Sequence, residues 1–312
     1  MKSKLWLVFA AITTVCWGIW GSLIEIPEQA GFPATLSYVV WSLTMIPPAL
    51  VALKLINWEM DFRVKPVIMG MTVGLTGAGG QLILFQTLTI SPAYLVYPFI
   101  SLSPVVTIFL SYLLLSERAN KYGIIGIVLA LIAIPLLSYS PPDNSGVGGM
   151  LWIIPAGLVF LAWGVQAYII KFANETMKAE NIFFYMMVAG LMLAPVAIVM
   201  TDFGQPVNWG FEGPGLAALI QVLNAVGALF LVYAFRYGKA MVVSPLTNAI
   251  APVITIILSL VIYSVIPHGI TMAGMILAIA ATLFLSFETD EKEPETGDEK
   301  KIARAVNPKS GD

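Results

Sequence analysis

The chain has 312 residues, 58% of them hydrophobic and 11% charged, with a mean hydropathy of +0.87. A soluble domain carries about 25% charged residues, so the composition excludes a soluble globular protein and leaves the integral membrane class. With a net charge of -2, no basic patch with interleaved aromatics marks a nucleic-acid partner, and a lone cysteine, Cys16, excludes a disulfide framework or a Cys-rich metal site.

Ten uncharged apolar runs follow one another, each long enough to cross a hydrocarbon layer of about 30 Å as a helix. None alternates with the period of a barrel strand, so the expected fold class is an all-α integral membrane protein with ten transmembrane helices. The first run, 5–24, follows Lys2 and Lys4. It is too long for a signal-peptide core and lacks a small-x-small cleavage site, so it reads as a retained helix. It places Thr13, Trp17 and Trp20 on one face, and Cys16 on it reads as a small buried hydrophobe. The second run, 35–55, carries Tyr38 and Trp41; the third, 66–90, carries GAGGQ at Gly77–Gln81. No strand precedes those glycines, so they point to close helix contact and not to a dinucleotide loop.

The fourth run, 93–116, contains PFISLSPVVTIFLSYLL, with Tyr94, Tyr97 and Ser101 on one face and Pro98 and Pro104 within it. The fifth, 121–139, reads YGIIGIVLALIAI and has almost no polar residue. The sixth, 150–171, bears Trp163 and Gln166; the seventh, 180–200, bears Tyr185; the eighth, 213–236, bears Gln221 and Asn224. The ninth, 240–263, contains SPLTNAIAPVITIILSL, with Pro245 and Pro252. Its Ser244, Asn248, Thr255 and Ser259 fall within about 60° of one another at 100° per residue. The tenth, 269–287, is again nearly devoid of polar side chains, so the fifth and tenth helices are expected to be scaffold or the surface of a homodimer. From Glu288 the chain is charged and aperiodic and reads as a disordered cytoplasmic tail.

Alternating the connections from an inside N-terminus places all 16 Lys and Arg inside. The outside connections carry Glu25, Glu28, Asp143, Asp202, Glu212 and His268 instead. The positive-inside rule then puts both termini in the cytoplasm of a multi-pass plasma-membrane protein, with a bacterial inner membrane expected. Trp6, Trp58, Trp152 and Trp209 lie at run ends as interface anchors.

The text of the fourth run recurs in the ninth, and the match extends further. Trp17-Gly18 corresponds to Trp163-Gly164, Tyr38 to Tyr185, Gly80 to Gly227 and Pro98 to Pro245. After one inserted residue, Pro104, Thr107 and Ser111 correspond to Pro252, Thr255 and Ser259. The chain therefore divides into a five-helix repeat at 1–143, a second at 144–287 and a tail at 288–312. Five is odd, so the two copies are inverted in the membrane. Inverted repeats with interrupted helices typify secondary transporters, which bind substrate near the midplane between the repeats. Pro98, Pro104, Pro245 and Pro252 are expected to bend site-lining helices and serve as gates.

Over about residues 5–287 the chain resembles the drug/metabolite transporter superfamily, specifically its EamA type. The resemblance rests on the Trp-Gly pair opening each repeat, the small-residue third helix, the SPxxT-like fourth helix, the LLLSER ending at Leu113–Arg118 and the Gly-punctuated fifth helix. The second repeat departs from it, with Ser264-Val265-Ile266 where the first has Ser116-Glu117-Arg118.

The expected substrate-binding residues are Trp17, Trp20, Tyr38, Trp41, Gln81, Tyr97, Ser101, Trp163, Gln166, Tyr185, Asn224, Ser244 and Asn248. No ionisable residue lies at mid-depth in any run, which suits a small neutral, zwitterionic or amphipathic metabolite and argues against a strongly anionic one. No catalytic constellation, metal site or cofactor is expected; the partners are the bilayer and a small-molecule substrate. Alternating-access transport, with amino-acid-like export favoured, is the main expectation. A sugar-uptake carrier of the same superfamily and a passive facilitator or channel are the alternatives.

Overall fold

The computed structural model describes residues 4–90, 96, 100, 102–137, 139, 151–263, 268–285 and 287. These form helices α1 (Leu5–Leu23), α2 (Glu25–Gln29), α3 (Ala34–Thr44), α4 (Ile46–Leu55), α5 (Val64–Ile90) and α6 (Pro104–Leu114). Then come α7 (Lys121–Leu137), α8 (Ile153–Ala173), α9 (Ala179–Val199), α10 (Leu216–Tyr237), α11 (Ala240–Tyr263) and α12 (Gly269–Leu285). A π-turn at Phe211–Gly215 leads into α10, and no strand occurs among the described residues.

Among the described residues seven helical stretches are long and apolar enough to span a bilayer, and α6, α7 and α12 are shorter apolar helices. The chain is thus an all-helical, multi-pass membrane protein. At 1.5 Å per residue the 17-residue α7 and α12 reach about 25 Å.

Two runs expected as single helices are broken, and prolines explain both. The second run divides at Met45, because Pro47 and Pro48 in the first turn of α4 cannot donate to the turn before them. In the fourth run Val96 and Ile100 are helical, a turn at 102–103 follows them, and α6 starts at Pro104. Pro104 therefore begins a helix, where proline's missing N–H costs nothing. Its repeat counterpart Pro252 lies inside the continuous α11, as does Pro245. Pro98 lies outside the described residues, and so do the connection at Asp143 and the tail.

The connections gather at two ends. At one end the 24–33 segment meets the 200–215 segment: Asn208 Nδ2 donates to the Ala30 carbonyl at 2.9 Å, and the Thr35 and Thr201 hydroxyls are 2.8 Å apart. At the other end lie the basic residues. Lys178 Nζ pairs with Glu59 at 2.5 Å, and Lys239 Nζ donates to the Arg118 carbonyl at 2.6 Å. Trp58 and Trp209 are exposed at opposite ends, whereas Trp6 is 1% exposed and packs against Gly238. Trp6 is a core residue and not an interface anchor, because the α10–α11 turn covers it. Cys16 is only partly buried.

Counterpart helices of the two repeats run antiparallel where they touch. Thr35 at the start of α3 meets Thr201, just past the end of α9, and Tyr38, one turn further into α3, meets Gly190 near the middle of α9. Gly126 and Leu137 of α7 meet Leu285 and Gly274 of α12, in reversed order. Across the repeats, α1 packs on α10 and α11, and α8 packs on α5 and α6.

Candidate functional site: a neutral cavity between the repeats

The cross-repeat contacts come in mirrored pairs. Thr107 Oγ1 donates to the Gly164 carbonyl at 3.0 Å, and its counterpart Thr255 Oγ1 donates to the Gly18 carbonyl at 2.9 Å. Trp163 Nε1 donates to the Gly77 carbonyl at 3.3 Å, and Trp17 Nε1 donates to that of Asn224, also at 3.3 Å. A Cβ at Gly80 would stand 2.5 Å from the Trp163 indole nitrogen, and one at Gly227 would stand 2.6 Å from that of Trp17. Glycine at each position therefore lets an indole lie flush against the neighbouring helix. The GAGGQ segment makes the expected close approach at Gly77, where a Cβ would collide with the Gln166 amide, and at Gly80. At Gly79 nothing lies within 4 Å.

These paired walls enclose a cavity of about 940 Å³. One wall carries Gln81 on α5 with Trp163 and Gln166 on α8. The facing wall carries Trp17 and Trp20 on α1 with Gln221 and Asn224 on α10. Tyr38 and Trp41 of α3 line it, as do Ser244, Thr247 and Asn248 of α11. Trp20 Nε1 donates to Gln221 Oε1 at 3.0 Å, Tyr38 Oη donates to the Gly190 carbonyl at 3.3 Å, and Asn248 Nδ2 donates to the Ser244 carbonyl at 2.9 Å. The indole nitrogen of Trp41 is buried and makes no hydrogen bond to protein. The side-chain amides of Gln81, Gln166 and Asn224 line the cavity while the backbone around them carries the helix-to-helix bonds.

The cavity mouth includes the exposed residues Glu28 and Gln29 beyond α1, and its floor is Phe235, 1% exposed, and Ile170, 0% exposed. Among the described lining residues Glu28 alone carries a charge at neutral pH. Beyond the floor lie the buried polar groups of the basic end: Lys171, Asn174, Arg236 and Glu117.

Ten of the thirteen residues expected to bind substrate therefore line one cavity. Tyr97 and Ser101 lie outside the described residues. Tyr185 is elsewhere: its hydroxyl donates to the Asp61 carbonyl at 2.6 Å, closing the basic end. The repeat relation that pairs it with Tyr38 does not carry over to placement, because the mouth and the floor of a one-sided cavity are not equivalent. The polar lining residues that sequence reasoning missed include Ser103 and Thr247, and with them Gln29, Thr35, Ser37 and Gln86. The first two adjoin Pro104 and Asn248, so a wider stripe would have included them. Gln86 lies about 140° around α5 from Gln81 at 100° per residue.

A second cavity of about 550 Å³ at the basic end is lined by Glu59, Asp61, Arg63, Lys178 and Asn181 among others. Its charges are already matched within the protein. Arg63 pairs with Asp61 at 2.6 Å, and this guanidinium holds the Asp61 carboxyl below the usual carboxylate range. The central cavity, with unmatched amides and aromatic walls, is the candidate site.

Comparison with known proteins agrees with this architecture. A crystal structure described only as that of a protein is 17% identical, with a TM-score of 0.70, and the match covers 92% of this chain and 99% of that chain. Identity so low establishes a shared fold alone. The comparison with curated proteins yields no match. The model of the EamA-like transporter family matches twice, over residues 4–139 and 149–287. With two matches spanning nearly its whole length, the chain belongs to the EamA-like transporter family and is a membrane transporter of the drug/metabolite transporter superfamily.

Proposed function

We propose that the protein is a secondary transporter of small neutral or zwitterionic organic metabolites, working by alternating access of the central cavity. Its ten spans form two inverted repeats, 1–143 and 144–287, with both termini in the cytoplasm of a plasma membrane. The observation that carries this reading is the cavity's chemistry. Four tryptophans and a tyrosine stand beside Gln81, Gln166, Gln221, Asn224 and Asn248, and Glu28, the described lining residue that is charged at neutral pH, is at the mouth. A dianion would meet no counter-charge there, and an unpaired charge is costly to bury. The antiparallel contacts of α3 with α9 and of α7 with α12 support inversion. The buried floor favours a carrier over an open pore.

Amino-acid-like export is the leading substrate assignment. Sugar uptake is the second reading, favoured by amides beside indole faces, which can pair with vicinal hydroxyls while the ring stacks. A melting-temperature panel on detergent-purified protein tests the neutral-site reading, using neutral amino acids, monosaccharides and sugar phosphates. A ligand at one hundred times its Kd stabilises by about 2.7 kcal/mol. A neutral or zwitterionic compound should raise Tm, and the rise should vanish in Gln166→Ala. Stabilisation by sugar phosphates alone would contradict the reading.

A further inference from the structure

Resting on the orientation just proposed, we infer that Glu117 is a positioning residue that holds the basic-side gate shut, so that the two gates of this carrier are chemically unequal. Glu117 follows α6 and is 5% exposed. Its two carboxylate oxygens accept the backbone N–H groups of Ala240 at 2.9 Å and Met241 at 3.0 Å. These are the first residues of α11, whose leading N–H groups have no partner within the helix. A carboxylate there satisfies them and meets the positive end of the helix dipole. Acceptor and donors belong to different repeats, so the bonds join the two halves of the molecule.

The same turn is held from its other side. Lys171 Nζ, on a side chain 4% exposed, donates to the Gly238 carbonyl at 2.9 Å, at the C-terminal end of α10. The Gly238–Lys239 connection is thus fixed at a carbonyl by a buried cation and at the following N–H groups by a buried anion. It lies just past the cavity floor. Helix α10 carries Phe235 of that floor and Leu231 of the lining, and α11 carries Ser244, Thr247 and Asn248 of the wall. The turn cannot leave the end of α6, as inward opening requires, without breaking both Glu117 bonds.

The matching position of the second repeat carries no carboxylate. The position matching Glu117 is Val265, whose side chain has no acceptor. A carboxylate cap of this kind is therefore written into the first repeat and not at the matching position of the second. The resting molecule faces outward, and each inward opening begins by uncapping α11.

The test uses Ala167→Cys in a Cys16→Ser background, because Ala167 lines the cavity and is partly exposed. Modification by a charged, impermeant methanethiosulfonate is timed in right-side-out and inside-out vesicles. With Glu117 present, Cys at 167 should react at least tenfold faster from the outer face. Glu117→Gln keeps the shape and removes the charge, and should raise the cytoplasmic-face rate at least tenfold; Glu117→Asp should recover part of the bias. Ala240→Pro removes one donor and leaves the carboxylate, at a first-turn position that tolerates proline, so it tests the same contact should Glu117→Gln fail to fold. An unchanged ratio of the two rates in the folded variants, whatever happens to Tm, reduces Glu117 to a structural cap and overturns the inference. A parent protein that reacts only from the cytoplasmic face overturns the orientation itself, and the inference with it.

Discussion

At the scale of single residues, the tightest constraints lie where an indole meets a glycine. A methyl group at Gly80 or Gly227 would stand within 2.6 Å of a tryptophan indole nitrogen. Overpacking of this kind typically costs about 1–3 kcal/mol. Gly80→Ala and Gly227→Ala should both lower Tm, whereas Gly79→Ala, with nothing within 4 Å, should leave it unchanged. Equal melting of all three variants would contradict the packing described. Asn248 makes the opposite case. Its Nδ2 bonds to Ser244 within its own helix, at 2.9 Å, and its side chain lines the cavity. Asn248→Leu should leave Tm nearly unchanged and cut transport at least tenfold, about 1.4 kcal/mol in the transition state. A drop in Tm with normal transport by the folded fraction would make Asn248 a structural residue instead.

At the scale of helices, the two repeats hold each other through Thr107 on the Gly164 carbonyl and Thr255 on the Gly18 carbonyl. Hydrogen bonds between membrane helices contribute about 0.6 kcal/mol on average. Thr107→Val and Thr255→Val should each destabilise by roughly that amount, read from Tm in the same detergent. As separate sites their effects should add within about 0.5 kcal/mol; strong non-additivity would mean that the contacts form one coupled unit. Much of this level was legible in the sequence. Thr107 and Thr255 occupy matching places in the duplicated text, and α5, α8, α9 and α11 lie within a few residues of the apolar runs that announce them. What hydropathy could not show was where proline ends a helix. Pro104 and Pro252 have the same sequence surroundings, yet one begins α6 and the other lies inside α11. Proline fits a first turn and can also be accommodated within a membrane helix whose neighbours satisfy the freed carbonyl. The choice is made by packing, which a single run of text does not contain.

At the scale of the whole molecule, side-chain stripes named ten of the residues that line the cavity, because a face read off the helical period is the face the fold turns inward. The depth of a residue was harder to read. Tyr38 and Tyr185 match in sequence, but one lines the cavity and the other closes the basic end. The gate residue Glu117 was visible only as the ending of a motif, since its partners at Ala240 and Met241 are backbone groups far along the chain. Sidedness can be checked in a Cys16→Ser background: Asp202→Cys should react with an impermeant maleimide in intact cells, and Glu59→Cys only after permeabilisation. Loss of the Glu59–Lys178 pair should matter little, since exposed ion pairs contribute about 0–1 kcal/mol. The most direct test of the carrier itself is counterflow in proteoliposomes. Vesicles are loaded with an unlabelled neutral amino acid or monosaccharide that raises Tm, and the same compound is supplied outside as a radiolabelled trace. Alternating access predicts that the labelled compound transiently accumulates inside loaded vesicles above its level in empty ones, and that Asn248→Leu abolishes the overshoot. Uptake that simply equilibrates, at the same rate with or without internal substrate, would contradict the account and indicate a passive pore.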